Sequence, residues 1–599
     1  MENAVRFRYE PLPVNNNERR STRLLQLLPG LADEPINCSI ANVNLCDNPG
    51  YEALSYCWGN TANTIRISCD KEFLDVTHNL HDALVTLRDK DKPRTLWIDA
   101  ICIDQENLFE RSQQVGSMRD IYKQSKKTLV WLGPETEDTA QAFELVPYLL
   151  RACKEAFQGN PRPIRLEPTI MMHPAVLQVC QRLRLFDAFI GLEQRPYFSR
   201  IWIIQELAVS QSNIALFWGK YRLSWEEYFA ATFTFANLGF QEKSSRNSLG
   251  AFLHLIMAAV QLAASDPPLI SLLDRYRRQD STDPRDKVFA LLGIAGSQDI
   301  SSLGCKVDYD MTVVEVYTNL ARSYIQRDDN LDVLGYVNSG ARVAGLPSWV
   351  PDWTSQGVEK MPVNFRDRNL SGTYLNHQAG GKNDSVISIS GDGMTLSAQG
   401  ILLDQIARVS DVFDEPLDKG CCKAHVCEEV AELKERSTYI AGGTAMDALF
   451  ITQLAGCPKP KYDKIRGRFQ EFWEEAKSHR PRQQMSGSLT VSTPEGSRQR
   501  RINVVPVDCK QTGEVEALFL SSLLYLERRR FARTCKGYSG LVPAEAAPGN
   551  QIAIFKGGNY PLVLRAQEQR WKLVGESYVH GGMNGELLDE SHWDEFAIV

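Results

Sequence analysis

Between Tyr51 and Leu132 the chain alternates short apolar runs rich in β-formers with amphipathic helical stretches. Strands separated by helices cannot pair as hairpins, so this rhythm dictates a parallel sheet wound by helical crossovers. Glu52 to Tyr56 (EALSY) reads as the opening strand of the unit. From His78 to Arg88, Leu80, Ala83, Leu84 and Leu87 recur at i, i+3, i+4 and i+7, with Thr77 placed to cap the first turn. Leu96 to Ile103 is the next apolar run, its strand ending at Ile98, and Asn107 followed by Glu110 has the cap-and-N3 spacing of a helix start. Val115, Met118, Ile121 and Tyr122 form the buried stripe of that helix. Thr128 to Leu132 is a further strand, stopped by Gly133 and Pro134. Right-handed crossovers predict that these three strands are parallel neighbours.

At 599 residues the chain exceeds one hydrophobic core. A helical stretch, Thr139 to Phe157, followed by a Pro-containing loop interrupts the α/β rhythm, so 135–196 reads as a helical insertion within an N-terminal domain spanning 1–232. The rhythm returns with a helix over Ser199 to Ser210 and a strand over Asn213 to Trp218. A mainly helical middle region is expected over 233–390 and a smaller β-containing domain over 391–599. In the latter, Thr395 to Val409 and Gln551 to Leu564 read as strands between Gly, Pro and Asn turns. The Arg-, Gln- and Ser-rich stretch 477–501 has little to bury and reads as a mobile surface loop. Trp349 and Trp353 in SWVPDW read as packing anchors on a segment stiffened by Pro351.

Composition excludes several classes. A net charge of −7 and a single dense basic run, Arg528 to Arg530 with Arg533, argue against nucleic acid as a partner. The N-terminus lacks the apolar core of a signal peptide, which predicts a cytoplasmic protein. Leu249 to Ala264, the longest apolar stretch, is interrupted by His254 and Gln261 and is too short for a bilayer, so it reads as a buried helix and no membrane span is expected. Fourteen scattered cysteines read mostly as small core residues. In CCKAHVC, Cys422, His425 and Cys427 lack a second ligand pair at finger spacing, so a buried turn is preferred and no metal is assigned. Phosphate-cradling GxxxxGK[ST], GxGxxG and GxSxG patterns are all missing, which removes the main support for ATPase, Rossmann dehydrogenase and serine hydrolase readings.

Five positions carry the candidate chemistry. Tyr56 and Trp58 sit at the carboxyl end of the opening strand, before Gly59, where open parallel sheets bind ligands. They serve equally as core and cap aromatics. Asp99 follows the strand at Leu96 to Ile98, so its carboxylate lies at the same edge, able to accept from ribose hydroxyls or to bond Arg111 and fix the loop. Glu206 lies in the apolar helix IWIIQELAV, with Trp202 one turn earlier on the same face. A carboxylate against such surface has an altered proton affinity. The alternative is an edge carboxylate beside Gln205 on a solvated stripe. In DPRD, Asp283 reads as a cap, Pro284 as the first helical residue and Asp286 as a charge favouring the positive helix end.

Five segments in fixed order resemble the fungal heterokaryon-incompatibility (HET) family: YEALSYCWG (Tyr51 to Gly59), the run from Leu96 to Gly133 with its WID, ER, QV, IY and WLG elements, RIWIIQELAVS (Arg200 to Ser210), TDPRDKVFALLGIAG (Thr282 to Gly296), and the run from Gly537 through LVLR to VGESYVHGGMNGE. The resemblance implies a role in non-self recognition between fungal cells, in which incompatible fusion triggers growth arrest or programmed cell death through protein partners or self-assembly. The W-x-x-x-E-L of Trp202 to Leu207 is also similar to the TIR-domain helix that carries a NAD-cleaving glutamate, with LSY (Leu54 to Tyr56) similar to the first TIR strand. Arg200, Ile201 and Ile203 stand where that pattern has serine before the tryptophan and cysteine after it. This resemblance implies a TIR-like, flavodoxin-like parallel sheet for the N-terminal domain, beside the helical middle region and β-rich C-terminal domain that the sequence pattern predicts. It also implies a NAD glycohydrolase as the alternative function, with NAD as substrate rather than cofactor. There Glu206 is catalytic, and Tyr56, Trp58, Asp99 and Trp202 are substrate-binding.

Overall fold

The computed structural model describes residues 5–13, 21–159, 170, 172–210, 213–238, 266–337, 340, 342–355, 377–381, 385–413, 438–453, 466–467, 487–493, 496–502, 528–588 and 592–599. Leu249 to Ala264 and the CCKAHVC segment lie outside them. Two compact units divide the chain: the first comprises 1–301, 305–311 and 487–503, the second 302–304, 312–486 and 504–599.

In the first unit, the strands in chain order are β1 (Ser21–Leu27), β2 (Asn37–Asn44), β3 (Glu52–Tyr56), β4 (Thr64–Cys69), β5 (Glu72–Thr77), β6 (Arg94–Trp97), β7 (Lys127–Trp131), β8 (Ile214–Trp218) and β9 (Tyr221–Ser224). They form one sheet in the order β5-β4-β2-β1-β6-β3-β7-β8-β9. β3 is parallel to both β6 and β7, and β7 to β8, so the three strands read from the sequence are parallel neighbours. Within this parallel core the chain visits the places 2-1-3-4, the flavodoxin-like order. The sheet as a whole is mixed. β1 joins the core antiparallel to β6, and β9 closes the far edge antiparallel to β8.

The helices begin where the side chains allow. Thr77 accepts from the Leu80 N–H at the start of α1 (His78–Leu87), and Asn107 accepts from the Glu110 N–H at the start of α2 (Leu108–Gln124). The Glu110 carboxylate does not complete a capping box. It holds the buried Arg23 guanidinium through bonds of 2.5 and 2.9 Å. After α3 (Thr139–Glu155), a short turn at Pro196–Ser199 precedes α4 (Trp202–Val209), which starts three residues later than its apolar run suggests because residues 199–201 pair with the chain near Asp280. α5 (Asp286–Leu292) likewise starts later than a cap at Asp283 would place it. The Asp283 carboxylate instead accepts from the Arg285 backbone and guanidinium.

In the second unit, β10 (Ile387–Ile389) and the long β11 (Leu396–Val409) precede a set of C-terminal strands. The stretch read as a mobile loop, 477–501, contributes instead to a two-stranded ribbon of the first unit, in which β12 (Gly487–Thr493) pairs with β13 (Gly496–Ile502); its other residues lie outside the described ones. The later strands are β14 (Arg529–Thr534), β15 (Ser539–Pro543), β16 (Gln551–Phe555), β17 (Leu562–Gln567), β18 (Arg570–Glu576), β19 (Tyr578–Val579) and β20 (Asp594–Ile598). Gln551 to Leu564 is therefore two strands joined by a Gly557–Gly558 turn, not one. β11 pairs with β20 along its first half and with β16 through its centre, while β16, β17, β18 and β20 pair in succession. The five strands thereby close on themselves, which removes their free edges. Trp349 and Trp353 are buried in this unit, and Ser348 beside them donates to the Val599 carbonyl and accepts from the Leu573 N–H.

Candidate functional site

The carboxyl ends of β3 and β6 bring four of the five sequence-picked residues into one neighbourhood. Successive strand residues point to opposite faces, so Ser55 and Tyr56 turn apart at the end of β3. Tyr56 goes with Asp99, the first residue beyond β6 and Ile98, and the Trp58 indole donates to Asp99 Oδ2 at 2.8 Å. The Tyr56 hydroxyl lies close enough to lower the proton affinity of Asp99, at a geometry too poor for a well-formed hydrogen bond. Asp99 does not meet Arg111. That guanidinium lies 3.5 Å from Asp283 and stacks on the Tyr309 ring, where the electron-rich face of the ring and the carboxylate hold it together.

Ser55 turns toward α4, where its hydroxyl donates to Glu206 Oε2 and meets the Tyr197 hydroxyl at 2.7 Å. Glu206 is 1% exposed and Gln205 2%, so neither lies on a solvated stripe. Both have built partners, since Gln205 accepts from the Gly293 N–H at 3.1 Å. The Glu206 carboxylate is enclosed rather than opened to a cleft. Trp202, one turn earlier, is committed elsewhere: its indole donates to Asp286 Oδ2 at 3.0 Å. Of the five residues, then, Tyr56, Trp58 and Asp99 share one group, Glu206 lies behind it, and Trp202 faces α5.

Arg200 links the two groups. Its guanidinium donates to the Tyr56 carbonyl, and although burial works against its charge, Glu206 and Asp99 together strengthen it. Burial pushes Glu206 up from 4.5 to about 7, against the pull of Arg200 and the Ser55 hydrogen bond, with Asp99 adding to the rise. Asp99 is raised as well, first by burial, with Arg200, Trp58 and the Ala100 N–H resisting. Two carboxylates thus share one guanidinium in a closed setting, and a proton on Glu206 near neutral pH relieves the excess. Ser55, Tyr197 and Arg200 were not picked from the sequence. The available signal was Arg200 itself: an acid in a nearly all-apolar helix needs a donor, and the nearest cation in the chain lies six residues earlier.

At the switch in strand order, between β3 and β7, Asn79 joins the two carboxyl ends. Its amide donates to the Cys57 carbonyl at 2.6 Å and accepts from the Trp131 indole at 2.9 Å. Gly59 and Gly133 follow these strands at φ of +75° and +110°, which only glycine adopts without strain. This is the edge where open α/β sheets take ligands.

Among the described residues no group of three or more His, Cys, Asp or Glu could hold a metal ion, and no helix is long and apolar enough to cross a membrane. The description of the heterokaryon incompatibility protein (HET) family matches residues 51–206, which span β3 through Glu206. The Het-6 β-barrel domain matches residues 455–599. A curated relative from Neurospora crassa (strain 74-OR23-1A), heterokaryon incompatibility protein 6, OR allele, is 24% identical over 686 residues, covering 99% of this chain and 98% of its own length. No solved structure matches the chain. This chain therefore carries an HET domain over 51–206 and, later in the sequence, a Het-6 β-barrel domain over 455–599, with end-to-end likeness to an incompatibility protein.

Proposed function

We propose that this protein is an effector of fungal heterokaryon incompatibility: non-self recognition after cell fusion engages it, and its HET domain then drives growth arrest or programmed cell death. The observation that carries the reading is the end-to-end likeness to heterokaryon incompatibility protein 6, which includes both the HET domain and the barrel domain. The protein works in the cytoplasm, where fused cells mix their contents, and acts through protein partners or self-assembly. Regulated expression of the full chain in a fungal host tests this. Arrest of growth supports the reading, and unimpaired growth at an expression level matched to a folded control overturns it.

A second reading is that the arrest is chemical, a TIR-like cleavage of NAD. It is favoured by the 2-1-3-4 order of the parallel core together with an acid, Glu206, on the helix that leads into the fourth parallel strand. Glu206 would contact the ribose and stabilise positive charge as the nicotinamide bond breaks, with Trp58 flanking the ring. Because Glu206 is enclosed, access to it would require α4 to shift from Ser55. Nicotinamide release from NAD by the purified full chain, lost in Glu206→Gln, supports this chemistry. No release by a chain that still arrests growth removes it and leaves the effector without catalysis.

A further inference from the structure

The Glu206 centre is held from behind by a stretch of chain beyond residue 206. Arg200 and Asp280 pair as an isolated parallel bridge: the Ile201 N–H donates to the Asp280 carbonyl at 2.9 Å and the Asp280 N–H to the Ser199 carbonyl at 2.6 Å. The buried Gln279 amide donates to the Phe198 carbonyl at 3.0 Å and the Arg200 carbonyl at 3.4 Å. Lys287, 3% exposed, spends its ammonium on the carbonyls of Arg277 and Gln279, which fixes the bend that presents Gln279. Asp286 is also buried, accepting from the Trp202 indole at 3.0 Å and from the Tyr309 hydroxyl at 2.6 Å. Gly293 lies so close that a Cβ there would stand 2.2 Å from Gln205 Oε1.

These polar side chains are taken out of water, and those reaching residues 198–205 all meet the nine residues that carry Arg200, Trp202 and Glu206. Apolar side chains would fill the same space at lower desolvation cost. What polar groups add is direction: the Gln279 bonds fix the Phe198 and Arg200 carbonyls, Asp286 fixes the Trp202 indole, and Lys287 fixes the backbone that presents Gln279, while a functional carboxylate needs placement within about half an ångström.

We infer that Gln279, Asp286 and Lys287 are positioning residues for the Glu206 centre, and that the working unit of the HET domain runs on to Met311, well past residue 206. The inference rests on the proposed effector function for its biological readout, but the strap that residues 277–293 form against 198–206 can be measured without it. Arg285 supports the far end, donating to the carbonyls of Tyr309 at 2.6 Å and Met311 at 2.8 Å.

The test uses the full chain as wild type, Gln279→Met, Asp286→Asn and Asp286→Glu. Amide exchange is followed by mass spectrometry over residues 198–206 and, separately, over β3 and β7, alongside growth arrest in the host. Gln279→Met and Asp286→Asn should speed exchange in 198–206 by about 10-fold or more, the factor that one lost buried hydrogen bond carries, while β3 and β7 stay protected and arrest is lost. Asp286→Glu keeps both acceptor oxygens and should restore protection and arrest together. Exchange rising equally across β3 and β7 would make these residues supports of the whole fold and overturn the inference. So would full arrest by variants whose 198–206 segment has loosened. A wild type that fails to arrest its host overturns the proposed function instead, and the exchange pattern alone then decides whether the strap holds the site.

Discussion

Glu206→Gln separates the charge of this residue from its shape, and its first consequence is a change in how stability depends on pH. The folded carboxyl titrates near 7 against 4.5 for the ordinary group, because burial at 1% exposure disfavours its ionised form. A carboxyl raised on folding contributes stability that is fully present below about 4.5 and is lost as pH rises through about 7. At about 1.4 kcal/mol for each pH unit, the wild type should lose about 2–3 kcal/mol between pH 5 and pH 8 through this group. Glutamine cannot ionise, and Ser55 can reverse its hydrogen bond to meet either end of the amide, so the variant lacks that loss. Urea unfolding should be read by proteolytic peptides from β3 and β7, which scores the first unit alone. The variant should match the wild type near pH 5 and exceed it at pH 8. Parallel profiles across the range would refute the reasoning, since they would mean that Arg200 keeps Glu206 ionised throughout.

Other perturbations follow from the same structure. Arg200→Gln removes the cation that holds Glu206 down, so the pH at which the first unit loses stability should move upward from about 7, and arrest should be lost; an unmoved transition would detach Arg200 from Glu206. Glu110→Gln leaves the Arg23 guanidinium, 2% exposed, without its counter-charge and should cost about 3–5 kcal/mol by the same peptides, most of it recovered in Arg23→Met with Glu110→Leu. Trp353→Ala, at 2% exposure, should cost about 3–5 kcal/mol in unfolding read from barrel peptides while β3 and β7 peptides are unaffected.

The parallel core was legible because each of its cues is local. Thr77 and Asn107 cap where their spacing predicts, and Gly133 with Pro134 ends the third strand. The antiparallel strands Ser21–Leu27 and Asn37–Asn44 escaped notice because their partners are set by tertiary pairing: β1 is buried on both faces and pairs with β6 along one edge and β2 along the other. The barrel closure was equally hidden, since it depends on β11 pairing with strands some 150 to 200 residues downstream. At the site, the apolar setting of Glu206 was visible in IWIIQELAV, and the structure encloses the carboxyl accordingly. Its partners were not, because Ser55, Tyr197 and Arg200 converge only when β3 and α4 pack. The DPRD segment read as a helix start, and Asp286 does stand in the first turn of α5; Asp283, however, bonds Arg285 rather than capping the helix, and Asp286 also accepts from Trp202 and Tyr309, which only the fold brings within reach.

The central claim is that the charge of Glu206 acts in the growth arrest proposed for this HET domain. The most direct measurement is growth of a fungal host expressing full-length wild type or Glu206→Gln at equal soluble levels, with unfolding of both chains checked and cellular NAD followed in parallel. If the charge acts at the rate-determining step, the folded variant should arrest growth about 10²-fold less effectively or not at all. Full arrest by a Glu206→Gln chain that is as well folded as the wild type would contradict the account and remove Glu206 from the mechanism.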